Sequence, residues 1–224
     1  MRGLAWFLSL CLGLIGTGAF AESPELKTDE QKTLYALGLA LSQGLAPFSL
    51  TDAELEQVKG GLADGVLKRT PKVDLQAYGP KIQHLADARA AVIATAEKKA
   101  GAAYLAKALA ESGAKKTESG AVVTTIKAGT GASPKAADTV KVHYHGTLLD
   151  GTVFDSSVQR GEPVKFPLTN VIKCWTEGVQ HIKVGGKSKL VCPSDVAYGD
   201  NGRPPVIKPG ATLVFEVELL DIVK

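Results

Sequence analysis

Few residues in this chain have the types and spacing that covalent or metal chemistry requires. Cys174 stands directly before Trp175, where a short helix is expected to start, and Cys192 is its one companion once an N-terminal leader is set aside. A cysteine there has four uses: nucleophile, metal ligand, half of a disulfide, or packing beside an aromatic floor. A nucleophile needs an ordered base within hydrogen-bond reach. His181 lies about two helical turns further along the same segment, too far for a thiolate–imidazole pair. His143 and His145 share one strand face, but no carboxylate pair or Cys-x-x-Cys completes a metal set. No Gly-x-Gly-x-x-Gly loop follows a strand to cradle a phosphate. Neither a metal nor a cofactor is expected.

The elements that position such a site fall into two halves. From Thr28 to Ser112 the chain is rich in Ala, Leu, Lys, Glu and Gln and reads as helix. Thr28-Asp29-Glu30-Gln31 is a capped start, followed by Leu34, Leu37, Leu41 and Leu45 at helical spacing. Thr51 with Glu54 three residues on is a capping box, and Leu55, Val58 and Leu62 mark the apolar face behind it. A third helix is predicted from Asp74 to Ser112, stopped at Gly113, with Gly79-Pro80 expected to interrupt or kink it early. It carries Ile82, Leu85, Val92, Ile93, Tyr104, Leu105 and Leu109 over more length than a small domain can cover. Either a partner helix buries that stripe or the module folds back on itself.

Residues 115–120 read as a polar hinge, after which the pattern changes to short alternating segments punctuated by Gly and Pro. Val140, Val142 and Tyr144 share one strand face, Leu213, Phe215, Val217 and Leu219 another, and Leu190 with Cys192 a third. Between them Trp175, Val179 and Ile182 fall at i, i+4 and i+7, one short amphipathic helix stopped by Gly185-Gly186. The fold class is α+β: an all-α N-terminal domain with a long connecting helix, then an antiparallel sheet wrapped around one short helix.

Arg2, the apolar run 4–18 and the small residues at Ala19 and Ala21 form a signal peptide with cleavage expected before Glu22. The apolar run is short for a membrane span. The domains are then 1–21 leader, 22–116 helical and 117–224 sheet-rich. Export puts the mature chain in an oxidising compartment with two cysteines. A formal net charge of +3, with no Lys/Arg run, gives no reason to expect nucleic acid as a partner.

The second half resembles the FKBP-type peptidyl-prolyl isomerases over an ordered series of motifs. These are residues 142–148 (Val-His-Tyr-His-Gly-Thr-Leu), 151–157 (Gly-Thr-Val-Phe-Asp-Ser-Ser) and 161–166 (Gly-Glu-Pro-Val-Lys-Phe), then Val171-Ile172, Trp175-Thr176-Glu177-Gly178, Ala197-Tyr198-Gly199 and residues 211–219. The first half, through Tyr35-Ala36-Leu37-Gly38, the acidic-capped second helix and the long third helix, is similar to the helical domain of the exported macrophage-infectivity-potentiator-like group. The resemblance implies a periplasmic isomerase for proline-containing unfolded or exported polypeptides. It also implies a homodimer through the N-terminal helices, added chaperone activity, and binding of FKBP-type macrolide inhibitors. Release to the outer membrane or beyond stays open. A second class of function is a dimeric chaperone or surface-interaction module in which isomerisation is incidental.

By the same resemblance Trp175 is the floor on which a proline ring rests, with Tyr144, Phe154, Phe166 and Phe215 as walls. Val171 and Ile172 line the entrance, and Ile207 closes another side. The Tyr198 hydroxyl is implied to bond a substrate carbonyl, and Asp155 is the one carboxylate near the reacting amide, electrostatic and orienting rather than a proton donor. Asp155 also suits a turn in which it bonds the backbone of Ser156 and Ser157. The chain departs from the family in the loop 200–209: Arg203 stands where the best-known members have histidine, and Val206-Ile207-Lys208-Pro209 replaces a common Ile-Pro-Pro. A preference for acidic residues beside the target proline is one expectation from that change. Cys174 sits where glycine is usual, and Cys192 should point from its strand toward the same helix. A disulfide and two unbonded buried thiols both remain open.

Overall fold

The computed structural model describes residues 25–223. The leader, Cys11 and the cleavage site lie outside the described residues. By internal contacts the chain divides into a unit ending at Leu39 and a unit beginning at Ala40.

The first unit holds most of α1 (Asp29–Ser42). Thr28 Oγ1 accepts from the Gln31 amide at 3.2 Å while Gln31 Oε1 accepts from the Thr28 amide at 3.1 Å, the reciprocal cap expected. Leu34, Leu37, Leu39 and Leu41 are all more than half exposed.

The second unit begins with the end of α1, a 3₁₀ turn (Gln43–Phe48) and α2 (Asp52–Val66), which the Thr51–Glu54 capping box starts as the spacing predicts. Arg89 reaches back to bond Glu54 and the Phe48 carbonyl, tying α3 to the turn and to the start of α2. Helix α3 (Leu75–Leu109), capped by Asp74, extends about 52 Å at 1.5 Å per residue. It runs unbroken through Gly79-Pro80, contrary to the expected interruption. Pro80 lies only in the second turn and removes a single bond, to the Gln76 carbonyl, while a continuous helix follows it. Val92, Leu75 and Ile82 on this helix remain exposed at 71%, 72% and 48%, so much of its large apolar stripe has no cover among the described residues.

Residues 115–120 are no hinge. β1 (Ala114–Lys116) pairs with β2 (Val122–Lys127), and the turn between them is held by Glu177, whose Oε2 accepts from the Ser119 amide at 3.1 Å and hydroxyl at 2.5 Å. Two of the polar residues that suggested a hinge, Thr117 and Ser119, are spent on satisfying a tight turn. The remaining strands are β3 (Thr139–Thr147), β4 (Val153–Ser156), β5 (Val164–Pro167), β6 (Lys187–Cys192) and β7 (Leu213–Val223). They form a seven-stranded antiparallel sheet in the order β1-β2-β6-β7-β3-β4, with β5 also on β3. One-turn α4 (Ser157–Arg160) follows β4, and α5 (Lys173–Gly178) lies against the concave face.

That face holds the main core: Val140, Val142, Leu190, Leu213, Val217 and Leu219 are fully buried beneath Cys174, Trp175 and Val179. The single helix expected from Trp175 to Ile182 changes to a 3₁₀ turn at Val179, though all three apolar positions are buried as predicted. Gly178 sits at that change, pressed on Leu190: a Cβ there would lie 3.0 Å from its Cδ2. The opposite face is covered in part by α3, where Ala108 meets Val122 and Val191 with Tyr104 and Leu105 beside them. No helix among the described residues is long and apolar enough to cross a membrane.

Candidate active site

Five elements bring the expected residues to one cavity. β3 contributes Tyr144, β4 contributes Phe154 and Asp155, β5 contributes Phe166, α5 contributes Trp175, and β7 contributes Phe215. Strand alternation does the sorting, because Val140, Val142, Tyr144 and Gly146 face inward on β3 while His143 and His145 face out. Those two histidines meet Ser157 and Ser156, at 3.2 and 3.0 Å.

The cavity has a volume of about 810 Å³. Its lining includes every residue named from the sequence: Tyr144, Phe154, Asp155, Phe166, Val171, Ile172, Trp175, Tyr198, Ile207 and Phe215. Trp175 is the hub. It meets Tyr144 at 5.3 Å and 85°, Phe166 at 5.7 Å and 84°, and Phe215 at 5.3 Å and 83°, each edge to face. Such pairs each add about 0.5–1.5 kcal/mol beyond area burial. The buried indole Nε1 has no partner among the described residues, so ring contacts alone set its orientation. Phe154 packs at 89° on Phe215. A Cβ on Gly146 would come within 2.7 Å of the Phe154 ring, so only glycine leaves that wall its place.

One polar cluster interrupts the apolar lining. The Tyr144 hydroxyl donates to Asp155 Oδ2 at 2.5 Å, and Arg160 donates to Asp155 Oδ1 at 2.5 Å and to the Tyr144 oxygen at 3.0 Å. Burial works to raise the Asp155 carboxyl, but the bonds from Tyr144 and Arg160 and the guanidinium charge outweigh it and hold the group below its ordinary value. Burial first, and then the bond to Asp155, raise the Tyr144 hydroxyl. Asp155 is thus an ionised, oriented carboxylate at an apolar wall. Of the turn expected at this point, Ser156 supplies the cap, its Oγ accepting from the Gln159 amide at 3.1 Å.

Sequence reasoning missed Arg160. Its only sequence signal is its place at the end of the one-turn helix, just before Gly161, whose φ of +77° ends that turn. Asn170, Pro204, Pro205 and Val206 also line the cavity. Loop 200–209 forms one side, pinned by the reciprocal Arg203–Ile207 backbone pair at 2.7 and 3.0 Å. The Arg203 guanidinium lies 5.9 Å from the Tyr198 ring centroid, and among the described residues it has no carboxylate partner.

Beneath the floor, Cys174 and Cys192 form a disulfide with Cα atoms 5.6 Å apart, both sulfur-bearing residues fully buried.

An aromatic cavity of this lining and order has a known counterpart. Residues 131–220 match the family model for FKBP-type peptidyl-prolyl cis-trans isomerases, and residues 30–122 match that of the domain amino terminal to them. The chain belongs to the FKBP-type peptidyl-prolyl cis-trans isomerases. It is 45% identical over 218 residues to the FKBP-type isomerase FkpA of Aeromonas hydrophila, covering 91% of this chain and 81% of the relative. It is 41% identical over 209 residues to FkpA of Escherichia coli, covering 88% and 77%. The crystal structure of the Escherichia coli protein superimposes with a TM-score of 0.66 at 40% identity, covering 88% of this chain and 98% of that one. The fold of this isomerase, a helical segment with a long helix before an antiparallel sheet and short helix, is therefore that of its relatives.

Proposed function

We propose that this isomerase assists the folding of exported proteins by twisting Xaa-Pro amides in the aromatic cavity, and that it acts as a dimeric chaperone in the periplasm. The carrying observation is the set of three ring edges meeting at Trp175 beside the oriented Asp155 carboxylate. Rotation about the Xaa-Pro bond is slow because amide resonance must be lost, a barrier of roughly 18–20 kcal/mol. The twisted amide is less polar than the planar one, so a water-poor apolar cavity disfavours the planar state more. Lowering the barrier by about 6–8 kcal/mol gives about 10⁴–10⁶-fold.

In this reading the proline ring rests on Trp175 between Tyr144, Phe154, Phe166 and Phe215, with Val171, Ile172 and Ile207 closing the rim. Tyr198, whose hydroxyl bonds no other described residue, holds a substrate carbonyl. Asp155 acts through its charge and takes no proton. The same cavity would take FKBP-type macrolide inhibitors. NMR exchange spectroscopy on a short proline peptide tests the reading. Asp155→Ala and Tyr198→Phe should lower kcat/KM at least tenfold, about 1.4 kcal/mol or more, and wild-type protein at the uncatalysed rate would sink it.

The dimer reading takes residues 22–116 as the helical dimerisation domain and 117–224 as the isomerase domain. Support comes from the apolar side chains left open along the helices, Leu34 at 61%, Val66 at 69% and Val92 at 71% exposed. Sedimentation should give twice the chain mass, and a fragment lacking residues 22–116 that stays dimeric would contradict this interface.

A further inference from the structure

Helix α3 meets the residues that flank loop 200–209, behind the cavity, through a face that hydropathy does not reveal. Ala94, Lys98 and Gly101 fall at i, i+4 and i+7, one side of the helix. Ala94 and Gly101 are buried, and both are small because the sheet domain comes too close for anything larger. A Cβ on Gly101 would collide with the Thr212 hydroxyl, and a Cβ on Gly210 would lie 2.6 Å from Ala94 Cα. Gly210 in turn donates to the Gly199 carbonyl at 3.0 Å, next in the chain to Tyr198. Between these two contacts, Lys98 Nζ reaches Asp200 at 2.6 Å and Asp195 at 3.4 Å, and Lys208 meets Glu97 at 3.5 Å.

All of these contacts grip the roots of loop 200–209, on both sides of the segment that lines the cavity. Behind the tip the described residues leave a gap. A second cavity of about 150 Å³ separates Pro204, Pro205 and Ile207 from Ala90, Ile93 and Pro47. The loop is thus clamped at its base by α3 and unsupported at its tip. Lys98 is 41% and Asp200 64% exposed, so the ion pair alone is worth little; the close backbone approach at Ala94 and Gly101 supplies the register, and Lys98 locks it.

We propose that the 94–101 face of α3 is a positioning surface for the substrate loop, with Lys98 its polar anchor. When the helix undocks, Tyr198 and loop 200–209 lose their fixed place and isomerisation slows, without any loss of cavity residues. This rests on reading the aromatic cavity as the isomerisation site.

The test uses the full chain and a short Xaa-Pro peptide, so that client binding elsewhere does not enter. Lys98→Glu sets three carboxylates against one another. It should raise hydrogen exchange at the Arg203, Ile207 and Gly210 amides and lower kcat/KM about 3–10-fold, mainly through kcat. Lys98→Arg should retain wild-type values, and Lys98→Glu with Asp200→Lys should recover most of the loss. Gly101→Leu should act like Lys98→Glu; Lys98→Glu, on an exposed side chain, keeps the proposal falsifiable if the glycine variant fails to fold. Lys99→Glu, on an exposed neighbouring residue, should change nothing. Unchanged loop exchange and a kcat/KM within about twofold of wild type for Lys98→Glu would overturn the proposal. An inactive wild type would instead overturn the functional reading.

Discussion

The Tyr144 hydroxyl donates to Asp155 Oδ2 at 2.5 Å, and Arg160 bonds both partners from the end of a one-turn helix. A tyrosine from β3 and an aspartate from β4 are thereby held as one polar unit at an otherwise apolar wall. With its carboxyl held below the ordinary value of 3.8, Asp155 is charged at neutral pH. A depressed carboxyl adds stability above its unfolded value, and that contribution is lost as pH falls through the folded one.

The pH profile follows from that arrangement. Isomerisation by the wild type should be flat above roughly pH 5 and fall only below the usual carboxylate range. Arg160→Met removes a lowering influence while burial and the Tyr144 bond remain, so the acid limb should move to higher pH. NMR exchange rates measured from neutral to acid pH check this; an unmoved limb would mean that Asp155 charge is irrelevant to rate.

The disulfide closes a loop with a sequence separation of 18 between the pocket helix and β6. A loop of that size stabilises by about 3 kcal/mol in the chain-entropy description. Denaturant unfolding with and without reductant should show a loss of about 2–4 kcal/mol, matched by the Cys174→Ala/Cys192→Ala double variant. Equal midpoints would remove the staple role.

At the cavity rim Arg203 offers a cation that has no carboxylate partner among the described residues. At low salt a Glu-flanked proline peptide should be turned over about 2–5-fold faster in kcat/KM than a Lys-flanked one, and the gap should close at high salt. Arg203→Met should abolish it. Equal turnover of the two peptides by wild type at low salt would end the idea.

Acid should loosen the start of α2. The Glu54 carboxyl is lowered to about 2 by the Thr51 amide first, then by Arg89 and the Thr51 hydroxyl. Its contribution is present above its unfolded value of 4.5 and disappears as pH falls from there toward 2. Hydrogen exchange at the start of α2 should rise over that interval in wild type and already be raised at pH 7 in Arg89→Met. Equal protection in the two proteins at pH 7 would show that the Arg89 link carries nothing.

Local signals were enough for much of this protein. The Thr51–Glu54 box, the helix start near Asp74 and the alternation through Val140, Val142 and Tyr144 depend on neighbours within a few residues, so their elements were legible before any folding. The lining of the cavity was legible through an ordered series of motifs, because its aromatic residues recur at fixed places in the family. Arg160 was not: its partners are Tyr144, on another strand, and Asp155 around a turn. The 115–120 hairpin was misjudged for the same reason, since Glu177, far along the chain, is what holds it.

The docking of α3 shows the division most clearly. By itself the sequence determined that a long helix precedes an antiparallel sheet, that the sheet closes on one short helix, and that an aromatic site lies between them. The helix face that meets the sheet domain is built around Ala94, Gly101 and Ala108, residues too small to register in any apolar periodicity, with Tyr104 and Leu105 beside the last of them, while the large residues Leu75 and Val92 stay in solvent. Only the tertiary structure decided which face docks. Close approach is set by where side chains are absent, and an absent side chain acquires meaning only when Thr212 and Gly210 are brought against it.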